Sequence, residues 1–511
     1  VTADLRQPVI VGVGQLRANR DRTIEGAREP LHLLVEALRR AETDAVAPGL
    51  LREADAVHAV KVASWSYADL AAKIGTAVGA RPRTLVDTGL GGHLPVRLLE
   101  QAAARIWAGD SEVALLVGGE AQASVSLLGK AGVDPVADLG WAADPGGPPA
   151  FDLDELGSPG MQAAGLLAPT RVYPLYENRL QADLGLTPQR AADWSARLYA
   201  DLSAVAATHP AAWQPERLTP EQVGTVGASN RMVCEPYPLA MNAMPHVDQA
   251  AAVIVTSLGT ARRHGIADRA LVHVWGGAGA DDVPDVLARD SFGRSCALSA
   301  ALDRCLQQAG VSSGQLDLVD VYSCFPVVPK LAGLHLGLPR DATLSVTGGH
   351  SCFGGPLNSY SVHALATMAQ RVREGAGLGL VHANGGYLTY QHAVLLGRHP
   401  HPDGYVGRPD PVQLTHPQTP APASAPADGE HADVVVETAT VEHGRAGSPV
   451  QAFLIARTAG GRRLAACTTR GDAASAAVLS LDALPADRTS HVGRAFRLTG
   501  LGDGVRLTPA G

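Results

Sequence analysis

The chain has 511 residues, is 46% hydrophobic but only 4% aromatic, and carries a formal net charge of −8. That length leaves room for roughly two to four domains with cores built from Ala, Val and Leu, and the acidic balance argues against non-specific nucleic-acid binding. Six cysteines without a C-x-x-C pair or zinc spacing read as reduced thiols, no basic segment with a long apolar run opens the chain, and no stretch approaches the ~20 apolar residues of a membrane span, so a soluble cytoplasmic protein with no metal site is expected.

Residues 8–13 (PVIVGV) form a continuous apolar run, as in a strand buried on both faces. Leu31, Leu34, Val35 and Leu38 predict a helix over 31–41. A strand over 56–62 follows, then a loop with Trp65, Ser66 and Tyr67 and a short helix over 70–78. Residues 84–95, TLVDTGLGGHLP, read as strand, glycine turn and helix start; the helix runs over 96–108, and a strand over 113–117 ends in Gly118-Gly119. This alternation predicts a covered mixed or parallel sheet. From about 120 to 230, Pro- and Gly-rich loops such as 144–149 and several helices read as an insertion over the core. Its clearest helix spans 187–206, with Thr187 as N-cap and Pro188 in the first turn. Asn242 and Asp248 read as polar partners of buried loop backbone, before a strand over 251–256 closes the first half.

The second half opens near residue 270, with a helix over 295–308 and a strand over 316–321 that ends in Tyr322-Ser323-Cys324-Phe325. Residues 343–361, TLSVTGGHSCFGGPLNSYS, then repeat the order of 84–95: a strand over 344–346, a loop with Gly348, Gly349, Gly354 and Gly355 around His350 and Cys352, and a helix through His363, Leu365, Met368 and Val372. A strand over 378–381 leads to His382, Asn384 and Gly385-Gly386, and a closing strand spans 392–396. Residues 1–260 and 261–400 thus read as two related halves of one α/β fold. Residues 401–432 read as a Pro/Ala-rich extended linker with His399, His401 and His416 solvated. Segments 434–441, 450–457, 463–469 and 494–498, with a hairpin turn at Ala459-Gly460-Gly461, predict a small antiparallel β-barrel over 433–511. An oligonucleotide-binding type of barrel fits that pattern, but scarce aromatics argue against nucleic acid as its ligand.

A strand feeding a glycine-rich loop at a helix N-terminus lets a ligand approach backbone N–H groups closely. Gly348, Gly349, Gly354, Gly355, His382, Asn384, Gly385 and Gly386 are therefore candidate ligand contacts. Cys352 and Cys324 are candidate nucleophiles, because a nearby His350 and a helix N-terminus favour a thiolate. Asn384 could donate to an oxyanion. The plainer alternative is a tight strand-to-helix crossing, with the cysteines buried as small hydrophobes.

These marks together resemble the thiolase superfamily over about residues 5–400. Gly118-Gly119-Glu120-Ala121 is similar to the family's Gly-Gly turn. Val321-Tyr322-Ser323-Cys324-Phe325 is similar to its Asn-Glu-Ala-Phe or His-Asp-Cys-Phe loop, and Gly348-Gly349 through Gly354-Gly355-Pro356-Leu357 to its Gly-Gly…Gly-His-Pro-Leu-Gly loop. The resemblance implies a duplicated five-layer αβαβα core with the loops around one pocket. It also implies acyl-CoA chemistry of lipid metabolism as in an acetyl-CoA acetyltransferase, coenzyme A or acyl-CoA as ligand with no covalently bound cofactor, and a monomer or homodimer. The departures bear on mechanism. The family's nucleophilic Cys falls near Gly89, and no residue from 85 to 100 is Cys or Ser. Its catalytic His falls on Gly355, its Asn on Tyr322, and its second Cys near Ala383-Asn384. The extra C-terminal segment resembles thiolase-like proteins with a degenerate active site and an added oligonucleotide-binding-like barrel. Three functions follow: a thiolase-like protein that binds acyl-CoA thioesters, a non-catalytic scaffold for a partner chain, or an acyltransferase or thioesterase with its nucleophile relocated to Cys324 or Cys352.

Overall fold

The computed structural model describes residues 3–147 and 157–509; Pro148 and Pro149 of the predicted 144–149 loop lie outside the described residues. The first half supplies strands β1 (Pro8–Arg17), β2 (Ala56–Ala59), β3 (Thr84–Asp87) and β4 (Val113–Ala121). A short hairpin, β5 (Met232–Cys234) and β6 (Tyr237–Pro238), precedes β7 (Asp248–Ser257). The second half supplies β8 (Val272–Asp281), β9 (Leu318–Val321), β10 (Leu378–Gly385) and β11 (Tyr390–Gly397). The order β3-β2-β4-β7-β1 continues as β8-β11-β10-β9, so the two halves present the same strand order from opposite ends. They join where Val9 and Ile10 of β1 pair with His273 and Val272 of β8.

The helices of this core are α1 (Pro30–Ala45), α2 (Leu70–Val78) and α3 (Leu94–Ala108), then α4 (Pro169–Asp183) and α5 (Pro188–Thr208) of the insertion, then α6 (Cys296–Gln308), α7 (Val327–His335) and α8 (Tyr360–Arg373). β1 shows how the layers arise. Val9 and Val11 pack outward with Leu34 and Leu38 of α1, while Ile10 and Val13 pack inward with Leu99 of α3 and Leu365 of α8. Successive strand residues point to opposite faces, so a continuous apolar run feeds two cores. Gly12 lets α1 close on the sheet, since a Cβ there would lie 2.1 Å from the Ala41 carbonyl oxygen. α3 and α8 lie between the sheets, with α1 and α2 outside one and α6 and α7 outside the other. The result is the duplicated five-layer αβαβα arrangement.

A helix in the middle layer has no solvent face, so its polar residues need partners. In α8, His363 Nδ1 meets Gln15 Oε1 at 2.8 Å, and Gln15 Nε2 donates to Thr367 Oγ1 at 3.1 Å. In α3, buried Glu100 accepts from the Gly277 amide (2.7 Å) and the Tyr405 hydroxyl (2.6 Å) and pairs with His392 Nε2 at 3.1 Å. Glu100 thus ties the two halves and the chain beyond them together.

Two expectations change here. Residues 344–346 form no strand. The buried Asp320 carboxylate accepts from Ser345 Oγ (2.7 Å) and from the Val346 and Thr347 amides (2.9 and 3.0 Å), which draws the segment off the ladder after one bond from the Val321 amide to the Leu344 carbonyl. The linker is also not wholly solvated. Residues Arg408–Gln413 form β12 beside β8. His401 is buried with Nε2 3.2 Å from the Ala309 carbonyl, and His416 Nε2 pairs with Asp282 at 2.6 Å. Backbone pairing to the uncovered side of β8 holds this segment despite its weak hydrophobic pattern.

The C-terminal strands β13 (His431–His443), β14 (Pro449–Thr458), β15 (Arg463–Cys467), β16 (Ala495–Gly500) and β17 (Val505–Pro509) form an antiparallel sheet in the order β15-β14-β13-β16-β17. The β5–β6 hairpin joins it through β13. The sheet curls around Val436, Leu454, Phe496 and Leu498, and beyond its two edge strands Thr469 Oγ1 donates to Asp503 Oδ1 at 2.9 Å. It is a small barrel-like domain. Buried Arg463 fixes it to the core, pairing with Glu437 (2.6 Å) and donating to the Leu287 (3.1 Å), Arg289 and Asp290 carbonyls. No described helix is long and apolar enough to cross a membrane.

Candidate functional site

The glycine loops of the two halves meet at the N-terminus of α3. The Gly91 amide donates to Asn358 Oδ1 (2.8 Å), and Ser361 Oγ donates to the Gly92 carbonyl (3.1 Å). A Cβ on Gly92 would lie 2.1 Å from the Tyr322 hydroxyl and 2.7 Å from the Asn384 carbonyl oxygen. Gly89, by contrast, has no heavy atom within 4 Å of such a Cβ. Gly92, two residues before α3, is therefore the glycine of this turn that faces the second-half loops, while Gly89 faces open space. The phenol of Tyr322 fills the space a side chain at Gly92 would need. Burial and the neighbouring Cys324 hold that phenol protonated, well above the usual tyrosine range. No hydrogen bond to its hydroxyl is found among the described residues.

Gly348 and Gly349 take left-handed backbone, at φ +114° and +75°, as they enter a π-helical turn over Gly349–Phe353. A Cβ on Gly348 would meet the Ala206 backbone of α5 at 2.6 Å, and one on Gly349 would meet Leu202 at 2.8 Å. The insertion helix thus seals this part of the loop, helped by Tyr199, whose hydroxyl donates to the Ser323 carbonyl at 2.9 Å. His350 stacks on Tyr360 at 3.6 Å and lies 4.2 Å from Tyr322. Burial depresses its pKa well below the usual imidazole range, so it is neutral, and its Nε2 has no hydrogen-bond partner among the described residues. Cys352 is buried, and burial pushes its thiol up. Its carbonyl and that of Phe353 accept from the Gln214 and Trp213 amides at 3.0 and 2.6 Å, which covers the loop. Gly354 lies against Gln249, and the Gly355 amide donates to the Met244 carbonyl at 2.8 Å.

A separate polar chain runs from the end of β10. His382 Nε2 meets Gln391 Oε1 at 2.9 Å, Gln391 Nε2 donates to Asn384 Oδ1 at 2.7 Å, and Asn384 Nδ2 donates to Tyr173 Oη at 2.8 Å. Tyr173 in turn donates to the Gly386 carbonyl at 2.6 Å. Asn384 Nδ2 also approaches Cys324 Sγ at 3.9 Å. Burial lowers His382 to about 4, so it too is neutral. Gly385 sits against the His93 ring, which burial lowers to about 3. Cys324 is half-buried, and burial pushes its thiol up to about 12.

The structure therefore brings Cys324, His382, Asn384, Gly385 and Gly386 into one cluster through Tyr173 and Gln391. His350 joins Tyr322, Ser323 and Tyr360 beside Gly348 and Gly349. Cys352 instead meets the insertion at Gln214, and Gly354 and Gly355 face Gln249 and the 243–244 segment. Among the described residues no imidazole nitrogen lies within hydrogen-bond distance of Cys324 or Cys352. At a thiol pKa of about 12 the thiolate is scarce at neutral pH. The arrangement offers hydrogen-bond donors and close backbone without an activated thiol.

Sequence reasoning missed Tyr173, Gln391, Asp320 and the holding role of Glu120. Glu120 receives the Ala63 and Ser64 amides at 2.8 Å each. Burial nevertheless raises it to about 7. Asp320 carried a usable signal, a charge inside an apolar strand. Tyr173 carried none, because it belongs to an insertion helix distant in sequence.

Residues 411–492 match the family described as the thiolase-like protein type 1 additional C-terminal domain. A monomeric SCP2-thiolase-like protein type 1 from Mycobacterium smegmatis is similar over 99% of this chain and 100% of its own, at 27% identity and a TM-score of 0.78. An Ltp2–ChsH2(DUF35) aldolase shares the fold over 78% of this chain and 99% of its own, at 18% identity and a TM-score of 0.57. No curated protein matches the sequence.

Proposed function

Taking the chain as a thiolase-like protein with the type 1 C-terminal addition, we propose that it binds acyl-CoA thioesters without becoming acylated. The observation that carries this reading is Gly92 under Tyr322. The turn before α3, where the family's nucleophile falls near Gly89, holds no Cys or Ser, and at Gly92 in the same turn a phenol occupies the space a side chain would need. The Tyr322 hydroxyl, protonated and without a hydrogen-bond partner among the described residues, is a donor for a thioester carbonyl at the positive end of α3. Such a contact holds a ground-state ester, whereas acyl transfer requires a nucleophile that attacks it.

Calorimetric titration with a panel of acyl-CoA esters tests the reading. Wild type binds at least one ester, and Tyr322→Phe weakens that binding several-fold, the worth of about one hydrogen bond. Binding unchanged in Tyr322→Phe would remove the phenol from the account, and no binding of any ester would end it. One observation favours a second reading, that of a relocated nucleophile: Cys324 is half-buried rather than sealed and lies 3.9 Å from an amide donor. An acyl adduct on Cys324 would establish it.

A further inference from the structure

α5 has two faces with different work. Tyr199, Leu202 and Ala206, three and four residues apart, press on the glycine loop. Arg190, Trp194, Arg197 and Asp201 share the opposite face, and with Arg217 and Arg340 they line an open cleft of about 740 Å³. Its volume is in the ordinary range of small-molecule sites, about 300–1,000 Å³. Four arginines line it, and among the described residues none has a carboxylate within 4.0 Å. The acidic groups in the lining are Asp201 and Asp341. Burial raises Asp201, the attraction of Arg217 works against that, and the neighbouring Asp341 adds to the rise. On a chain of net charge −8 the cleft is a local excess of positive charge.

One of the arginines, Arg340, is also preorganised. The Trp194 ring carries the Arg340 guanidinium at 4.7 Å and the Lys330 ammonium at 4.6 Å. Lys330 is buried and fixed by Glu177 at 2.5 Å and Ser195 at 2.6 Å, so it anchors the indole from within. Arg340 thus stands on a rigid platform, which reduces the side-chain entropy lost when it captures an anion. Planar guanidiniums suit bidentate capture of phosphate oxygens.

We propose that this cleft binds a small molecule carrying two or more linked phosphate groups, through Arg190, Arg197, Arg217 and Arg340. The site is separated from the glycine loops by the body of α5, so it is independent of the acyl-CoA reading. Linked phosphates fit better than one, because four cations lining a cleft of this size exceed what a single phosphate can engage.

The test is calorimetry on the full chain with inorganic pyrophosphate, ADP and orthophosphate. Pyrophosphate or ADP is expected to bind at least tenfold more tightly than orthophosphate, and to weaken steeply with salt. Equal affinity for pyrophosphate and ADP assigns recognition to the phosphates alone, and tighter ADP adds the base; both support the site. The double variant Arg197→Ala/Arg340→Ala should weaken binding at least tenfold. Both side chains are exposed, so the fold should persist, and Arg190→Ala/Arg217→Ala gives an independent second pair. No binding of pyrophosphate or ADP at about 5 mM, or binding unchanged in both double variants, would overturn the proposal. Acyl-CoA binding that is sensitive to Tyr322→Phe but not to these arginines would leave the Proposed function standing alone.

Discussion

Glu120 and Asp320 hold the ends of the loops through hydrogen bonds to backbone amides, at the expense of burying a carboxylate. Burial raises Glu120 to about 7 and Asp320 to about 6. A carboxyl raised in the folded state binds its proton more tightly there than in the unfolded chain. Its contribution therefore falls as pH rises from the unfolded value, about 4.5, through the folded value of about 7. For Glu120 this amounts to on the order of 3 kcal/mol across that window. Urea unfolding at pH 5 and 7.5 should show wild type losing that stability relative to Glu120→Gln, while Asp320 contributes equally to both and cancels. Parallel profiles would contradict the assignment. Cys324 gives a second residue-scale prediction. With its thiol at about 12 against about 8.5 for a free thiol, its thiolate fraction is lower by on the order of a thousandfold. Iodoacetamide at pH 7.5 should leave it unlabelled in the native protein and label it in urea, as peptide mapping would read. The cysteines and His350 were legible in the sequence as candidates. Their protonation was not, because it depends on burial by Tyr199, Trp213 and Gln214, which arrive from the insertion.

The duplicated strand, glycine loop and helix were legible at the scale of elements, because the glycines mark places where backbones touch. Gly348 is the clearest case: at φ +114°, with the Ala206 backbone 2.6 Å from a would-be Cβ, it admits no side chain. Gly348→Ala should cost about 2–4 kcal/mol, the combined scale of left-handed strain and overpacking; a loss under about 0.5 kcal/mol would mean that α5 does not close on the loop. The 344–346 segment was misread because its alternation looks like a strand, while Asp320 supplies the partners its amides would have sought in a neighbour. β12 and β17 were not foreseen for the opposite reason. Their sequences are short, polar and Pro-containing, and what orders them is an available strand edge. In α7, buried Lys330 depends on Glu177 and Ser195. Lys330→Ala leaves Glu177 uncompensated and should cost about 3–5 kcal/mol in chemical unfolding.

The molecule as a whole consists of two sheet halves, an insertion and a barrel-like domain locked by buried charges. Glu437 and Arg463 bind the barrel to the segment at Leu287–Asp290, and Glu235 of the β5–β6 hairpin meets His443 at 2.7 Å and Ser480 at 2.8 Å. Such contacts couple the domains, so calorimetry should show one unfolding transition for wild type. Arg463→Met should lower or split it, and two transitions in wild type would contradict the coupling. The first-half sheet ends at β3, a four-residue strand with Leu85 and Asp87 exposed. The sequence reading left a monomer and a homodimer open, and light scattering on the full chain would distinguish them. The domain sequence was visible in composition and periodicity, but the locking was not, since each charge pairs with a residue far along the chain.

The most direct test of the central claim is the intact mass of the protein after incubation with acyl-CoA esters that calorimetry shows to bind. The account predicts an unmodified mass, because residues 85–100 provide no Cys or Ser and burial keeps the Cys324 and Cys352 thiols protonated. An acyl adduct that disappears in Cys324→Ala or Cys352→Ala would contradict it and make the protein an acyltransferase or thioesterase with a relocated cysteine.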